Sequence, residues 1–271
     1  MENYNLLDYK KSGYYLYKNF FNSAEIENVQ NEAKEIFINQ FLSQQIITSK
    51  YVSDAEFEIA IVNLFNNHFE NYVNCAKQAQ HLISLHLLSL DKKVIDKLKY
   101  FGLGFPVIST RPVMYFNKAK LAKAEEFFRV PPHQDWRSMQ GSLNSMVIWV
   151  PLVDVPEELG ALKVIPGSHK YGLVESKENV WYRQIDEVDL SKFISIEVER
   201  GDALFFSSFL IHSSGNNILD KIRWSCHFRY NDLDENTFIE RGYPHSYIYK
   251  PIQELITPNF PSIKQIDKTF I

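Results

Sequence analysis

His133-Gln134-Asp135 sets an imidazole and a carboxylate two residues apart. Side chains on a strand alternate between faces, so residues two apart point the same way. A strand over 131–137 is therefore expected to aim His133 and Asp135 into one cavity, with Gln134 turned aside. Two histidines and one carboxylate on one face of an octahedron hold a divalent metal and leave three positions open, an arrangement suited to Fe(II). The pair alone is a weak signal. With 8 His and 33 acidic residues in 271, roughly one His-x-acid triplet arises by chance. His212 supplies the missing ligand: it follows the apolar run Phe205 to Ile211 and precedes Ser213-Ser214-Gly215-Asn216-Asn217. A strand ending in a turn can present it from an opposing sheet.

Arg223 lies eleven residues beyond His212 and opens an alternating stretch. Arg223, Ser225, His227 and Arg229 share one face of the expected strand, and Trp224, Cys226, Phe228 and Tyr230 share the other. The polar face is expected to line a cavity and the apolar face to pack beneath helices. A buried guanidinium is costly without an anionic partner, and Arg is suited to gripping a carboxylate through two parallel hydrogen bonds. A small dicarboxylate fits. His227 and the residues flanking the first ligands, Gln134 and Trp136, are candidates for substrate contact. Arg229 faces either the cavity or an internal salt-bridge partner. His169 is expected to brace its loop, His68, His81 and His86 to be ordinary surface or core histidines, and Lys118, Lys120 and Lys123 to form a solvated run.

These groups need a frame. The first hundred residues read mainly as helix, with capping-box starts at Asn22/Glu25 and Ser53/Glu56, helical character from about 72 to 90, and a short helix over 93–100. Gly102, Gly104 and Pro106 break the pattern. Short runs rich in Val, Ile, Phe, Trp and Tyr follow, separated by Gly, Pro, Asn and Asp. Strands are expected near 107–117, 131–137, 146–153, 161–165, 193–199, 203–206, 209–213 and 222–230. The expected fold class is mainly β with helices (α+β), a double-sheet jelly roll. One domain over 1–271 is preferred: a helical part to about 105, a core over 106–232 and a tail over 233–271, because the sheet needs a helical layer.

The bulk properties agree with a chain that packs a core. Apolar residues are 45 %, aromatics 14 %, charged residues 23 %, and the net charge is −4. No basic footprint for nucleic acid is present, and no apolar run approaches the roughly 20 residues that span a bilayer. The N-terminus has no signal-peptide pattern. Two distant cysteines, Cys75 and Cys226, argue against a disulfide framework and for a reducing, cytoplasmic setting. The expected partner is a small-molecule substrate, and the sequence carries no signal for oligomeric state.

Residues 130–232 resemble the phytanoyl-CoA dioxygenase family of Fe(II)/2-oxoglutarate-dependent oxygenases. The blocks that carry the likeness, in order, are Pro132 to Asp135, Ile148 to Asp154, Leu159 to Lys170, and Gly201 to Phe206, closed by His212 to Asn217 and Arg223 to Tyr230. The resemblance implies a double-stranded β-helix core with iron held by His133, Asp135 and His212. It implies 2-oxoglutarate anchored by Arg223 with help from Ser214, Trp149 packed near it, and Asn117 as a further contact from the preceding strand. It implies O2 as oxidant, succinate and carbon dioxide as co-products, and hydroxylation of a small biosynthetic intermediate. The alternative is a jelly-roll metal protein without oxygenase chemistry, an isomerase or a sensor.

Overall fold

The computed structural model describes residues 2–123, 129–178 and 183–244. The expected tail over 233–271 lies largely outside these. The helical part comprises α1 (Glu2–Ser12), α2 (Ser23–Ser43), α3 (Asp54–Asn67), α4 (Phe69–Ala79), α5 (Ile83–Ser89) and α6 (Lys92–Tyr100). Both expected capping boxes form: Asn22 accepts from the Glu25 amide and Ser53 from the Glu56 amide, with each Glu answering the cap. The expected helix over 72–90 is two helices, α4 and α5, with a break at 80–82. Between α1 and α2 the chain inserts β1 (Tyr14–Tyr17), a strand not expected from the sequence.

The β part contains β2 (Pro106–Asn117), β3 (Met146–Pro151), β4 (Leu162–Val164), β5 (Lys177–Glu178), β6 (Arg183–Gln184), β7 (Ile194–Ile196), β8 (Ala203–Ser207), β9 (His212–Ser214) and β10 (Arg223–Asp232), with α7 (Trp136–Met139) before β3 and α8 (Asn236–Glu240) after β10. A five-stranded sheet runs β1-β8-β3-β10-β2 and a three-stranded sheet runs β7-β4-β9. Every pairing is antiparallel. These are the two sheets of a jelly roll.

Alternation along the strands separates two cores. On β3, Met146, Ile148 and Val150 join the helices, while Val147 and Trp149 face the smaller sheet. On β8, Ala203 and Phe205 take the first direction and Leu204 and Phe206 the second. On β10, Trp224, Cys226, Phe228 and Tyr230 all sit in the helix-facing core with Phe37, Phe57, Leu64 and Leu85, as the alternation from Arg223 requires. The helices therefore cover a face that would otherwise expose a layer of aromatics, each worth roughly 1.5–3 kcal/mol of burial. The other face of β10 is left to look into the space between the sheets.

Candidate metal centre and its anion-binding neighbour

His133 and His212 sit opposite each other on adjacent backbones. The His133 amide donates to the His212 carbonyl at 3.0 Å and the His212 amide to the His133 carbonyl at 3.1 Å. Directly opposed residues in an antiparallel pair project to the same side, and the two rings lie 4.1 Å apart, centroid to centroid. The strand expected over 131–137 is not formed; a single bridge at His133 takes its place. Asp135 has helical backbone angles (φ −65°, ψ −25°) and begins α7. Its carbonyl accepts from the Ser138 and Met139 amides at 3.0 and 3.1 Å, and the Trp136 amide is tied to the Ser208 carbonyl. Asp135 thus reaches the histidines through a helical turn rather than through strand alternation.

The three candidate ligand atoms lie within 4.8 Å of one another. Each His Nε2 is 3.9 Å from an Asp135 carboxylate oxygen. His133 Nδ1 meets the Pro131 carbonyl and His212 Nδ1 the Leu210 carbonyl, both at 2.9 Å. A carbonyl only accepts, so each Nδ1 carries the hydrogen and each Nε2 keeps its lone pair for the centre. Burial pulls both imidazoles below their usual range, His212 to about 3 with the His133 charge adding to the effect. Both rings are neutral near pH 7, as ligation demands. Burial pushes the Asp135 carboxyl up, but Arg229, His212 and His133 together outweigh it and hold it well below the usual carboxylate range. Arg229 Nη2 lies 3.2 and 3.4 Å from the two Asp135 oxygens. The salt-bridge alternative for Arg229 is therefore realised. A donor set of two neutral imidazoles and one ionised carboxylate fits a divalent cation.

Arg223 is 4 % exposed. It faces no acidic side chain among the described residues. Its Nη1 donates to the Gly160 carbonyl and its Nη2 reaches Ser214 Oγ at 3.5 Å, while Nε has no partner. Burial lowers its pKa to about 10, which leaves it charged at neutral pH. Gly160 adopts φ +82°, and a Cβ there would stand 2.9 Å from the Gly215 carbonyl and 3.3 Å from Arg223 Nη1. That close approach explains the glycine of the Leu159-Gly160-Ala161 block. A buried cation with an unused donor suits an anionic ligand.

Neighbouring residues form the same inner surface. Asn117 pairs in register with Arg223, and Trp149 with His227. Trp149 is fully buried, and its indole N–H, Ser225 Oγ and His227 Nδ1 all lack partners. The His227 ring also lies tilted against that of Tyr115, 4.7 Å between ring centres. Gln134 is a correction. Its amide donates to the Gly172 and Phe209 carbonyls and accepts from the Val174 amide, so it holds the 172–174 loop and is spent. Trp136 is another: it stacks on Phe209 and donates to the Ser142 carbonyl. His169 braces its loop against Lys10. Lys118, expected to be solvated, is 3 % exposed and bonded to Glu58 at 2.7 Å and Asp220 at 3.0 Å.

Fold and site together define a jelly-roll protein with a two-histidine, one-carboxylate centre. The family model described as phytanoyl-CoA dioxygenase (PhyH) matches residues 9–225, and the chain belongs to that family. The peroxisomal phytanoyl-CoA dioxygenase of Bos taurus is 25 % identical over 241 residues, covering 81 % of this chain and 66 % of the bovine protein. The chain thus spans just under two thirds of that relative's length. Among solved structures, the epimerase SnoN in complex with Fe3+, alpha ketoglutarate and nogalamycin RO superposes with a TM-score of 0.57 at 19 % identity, covering 85 % of this chain and 83 % of SnoN. The non-haem monooxygenase ThoJ gives 0.59 at 15 % identity, with 84 % and 76 % covered. Both likenesses are of fold.

Proposed function

We propose that this chain is a non-haem Fe(II) dioxygenase that uses 2-oxoglutarate and O2 to hydroxylate a C–H bond of a small biosynthetic intermediate, releasing succinate and carbon dioxide. The observation that carries the reading is the pairing of two sites on one inner surface. One is the His133, Asp135 and His212 cluster, within 4.8 Å. The other is Arg223, buried and without an acidic side chain among the described residues. A cation site alone has little use for that guanidinium, which argues against the reading as a metal-binding isomerase or sensor without oxygenase chemistry. Membership of the family adds independent support.

His133, Asp135 and His212 would hold the iron, and iron with 2-oxoglutarate supplies the oxidising chemistry when bound. The protein's share is placement. Pro131 and Leu210 carbonyls fix the ring tautomers. Arg223, with Ser214 beside it, would take the distal carboxylate of the cosubstrate. The unpartnered Ser225 Oγ, His227 Nδ1 and Trp149 N–H would meet its remaining oxygens or the substrate. Asn117, opposite Arg223, completes that end. An intact carboxylate at Asp135 leaves no room for a halide ligand and favours hydroxylation. Succinate formation from 2-oxoglutarate with Fe(II) and ascorbate tests the proposal. Substrate-independent turnover above that of Asp135→Ala is the expected result, and equal rates across broad substrate pools would remove it.

A further inference from the structure

The iron-ligating carboxylate has an escort that the ligand motif does not contain. Arg229 belongs to the inner face of β10, three strand positions of like orientation beyond Arg223, and places Nη2 against both oxygens of Asp135 at 3.2 and 3.4 Å. Its side chain is 12 % exposed and that of Asp135 5 %, so the contact is shielded from water and strong for its type.

The backbone is shaped at that residue. Against β3, β10 runs in unbroken register from Ser225 to Tyr230. Against β2 the register shifts on both sides of Arg229: His227 faces Val113, Arg229 faces Thr110, and Tyr230 faces Ile108. β2 thus uses three residues where β10 uses two, then two where β10 uses one. Pro112, which has no amide to offer a ladder, falls inside the first irregularity. Bulges of this kind bend a strand pair and re-aim side chains beside functional sites.

We infer that Arg229 is a positioning residue that restrains the Asp135 carboxylate, whose two oxygens each face one histidine Nε2 at 3.9 Å. By competing for both oxygens it limits how far they can be given to a cation, so that room would remain for a chelating 2-oxo acid. The inference rests on the function proposed above. A carboxylate without this restraint is free to turn and spread both oxygens over the metal, closing a position that the cosubstrate needs. Arg229 also sets a positive charge beside the cation, so its removal lifts a repulsion. The two effects have opposite signs for the two ligands. Loss of the guanidinium strengthens metal binding and weakens 2-oxoglutarate binding. A residue needed only for folding would weaken both.

The test compares the parent protein with Arg229→Met, which keeps the stem and removes the charge, and Arg229→Lys, which restores charge and one donor. Mn(II) affinity is measured calorimetrically without cosubstrate, then 2-oxoglutarate affinity at saturating Mn(II), then KM for 2-oxoglutarate in the Fe(II) reaction. Arg229→Met is expected to bind Mn(II) at least as tightly as the parent and 2-oxoglutarate about tenfold more weakly, with Arg229→Lys between the two. Parallel loss of both affinities in Arg229→Met, or no change in either, overturns the inference. A parent protein that binds neither Mn(II) nor 2-oxoglutarate overturns the proposed function itself, a failure recognisable before any variant is made.

Discussion

At the residue scale the site is a set of charges and lone pairs placed where water cannot relieve them. Arg223 is the sharpest case, because a buried guanidinium without an acidic partner among the described residues costs the protein stability until an anion arrives. Arg223→Met is therefore expected to leave the melting temperature of the ligand-free protein unchanged or higher. The same change should raise KM for 2-oxoglutarate about a hundredfold, the worth of roughly 3 kcal/mol for a buried charge-assisted pair. A calorimetric scan beside steady-state kinetics checks both; a melting temperature several degrees lower would assign Arg223 a structural role instead. The cluster of His133, Asp135 and His212 was legible in sequence because motif order survives where geometry does not. Strand alternation was the wrong reason for their convergence, since Asp135 stands in a helical turn. Gln134 misled for a related reason. A polar residue between two candidate ligands gives no sign that two backbone groups of the 172–174 loop and the Phe209 carbonyl will use it up.

Elements position these residues through their ends as much as their faces. β10 finishes at Asp232, which is 3 % exposed and accepts from the Gly104 and Phe105 amides at 3.0 and 2.8 Å and from Asn144 Nδ2 at 2.7 Å. It locks the connection from α6 to β2 to the strand that carries Arg223 and Arg229. Burial pushes its carboxyl up, but the hydrogen bonds from Asn144, Phe105, Gly104 and Asp234 together hold it below the usual value of 3.8. The folded protein then binds its proton later than the unfolded chain, so its contribution is complete above about pH 4 and is lost as pH falls through the lowered folded value. Asp232→Ala is expected to cost about 2–3 kcal/mol and to flatten stability against pH below 4, both readable by urea unfolding across pH. A variant as stable as the parent would contradict this. The period-two pattern of β10 was legible because both its faces are committed, one to the helices and one to the site. β1 was not: four half-buried aromatic and aliphatic residues carry no periodicity long enough to separate a strand from the helices on either side. The first helix, α1, is mostly polar and lacks an apolar stripe, so its sequence offered no signal.

For the whole molecule, the jelly roll follows from a count of strands and from the need to cover a sheet whose outer face is rich in Phe and Trp. The sequence carried that much because burial leaves its mark on composition. The bridge that His133 adds to β9 at His212 left no such mark, being a single pair. On the function proposed above, metal and cosubstrate bind where the two sheets face each other, so occupancy should stabilise the fold as a unit. Ligand at a hundredfold excess over Kd adds about 2.7 kcal/mol, which moves the melting temperature of a chain this size up by about 6 °C. A thermal scan with Mn(II) and 2-oxoglutarate together should show that rise, and Asp135→Ala should lose it. Among the described residues no helix is long and apolar enough to cross a membrane.

In the proposed function a cation held by His133, Asp135 and His212 completes a binding place for a dicarboxylate anchored at Arg223. Calorimetric titration of 2-oxoglutarate into the protein, with and without Mn(II), measures that dependence directly. The predicted result is binding with Mn(II) that falls away when the metal is withheld and is lost in both Asp135→Ala and Arg223→Met. Equal binding with and without the metal, or none in either case, would contradict it.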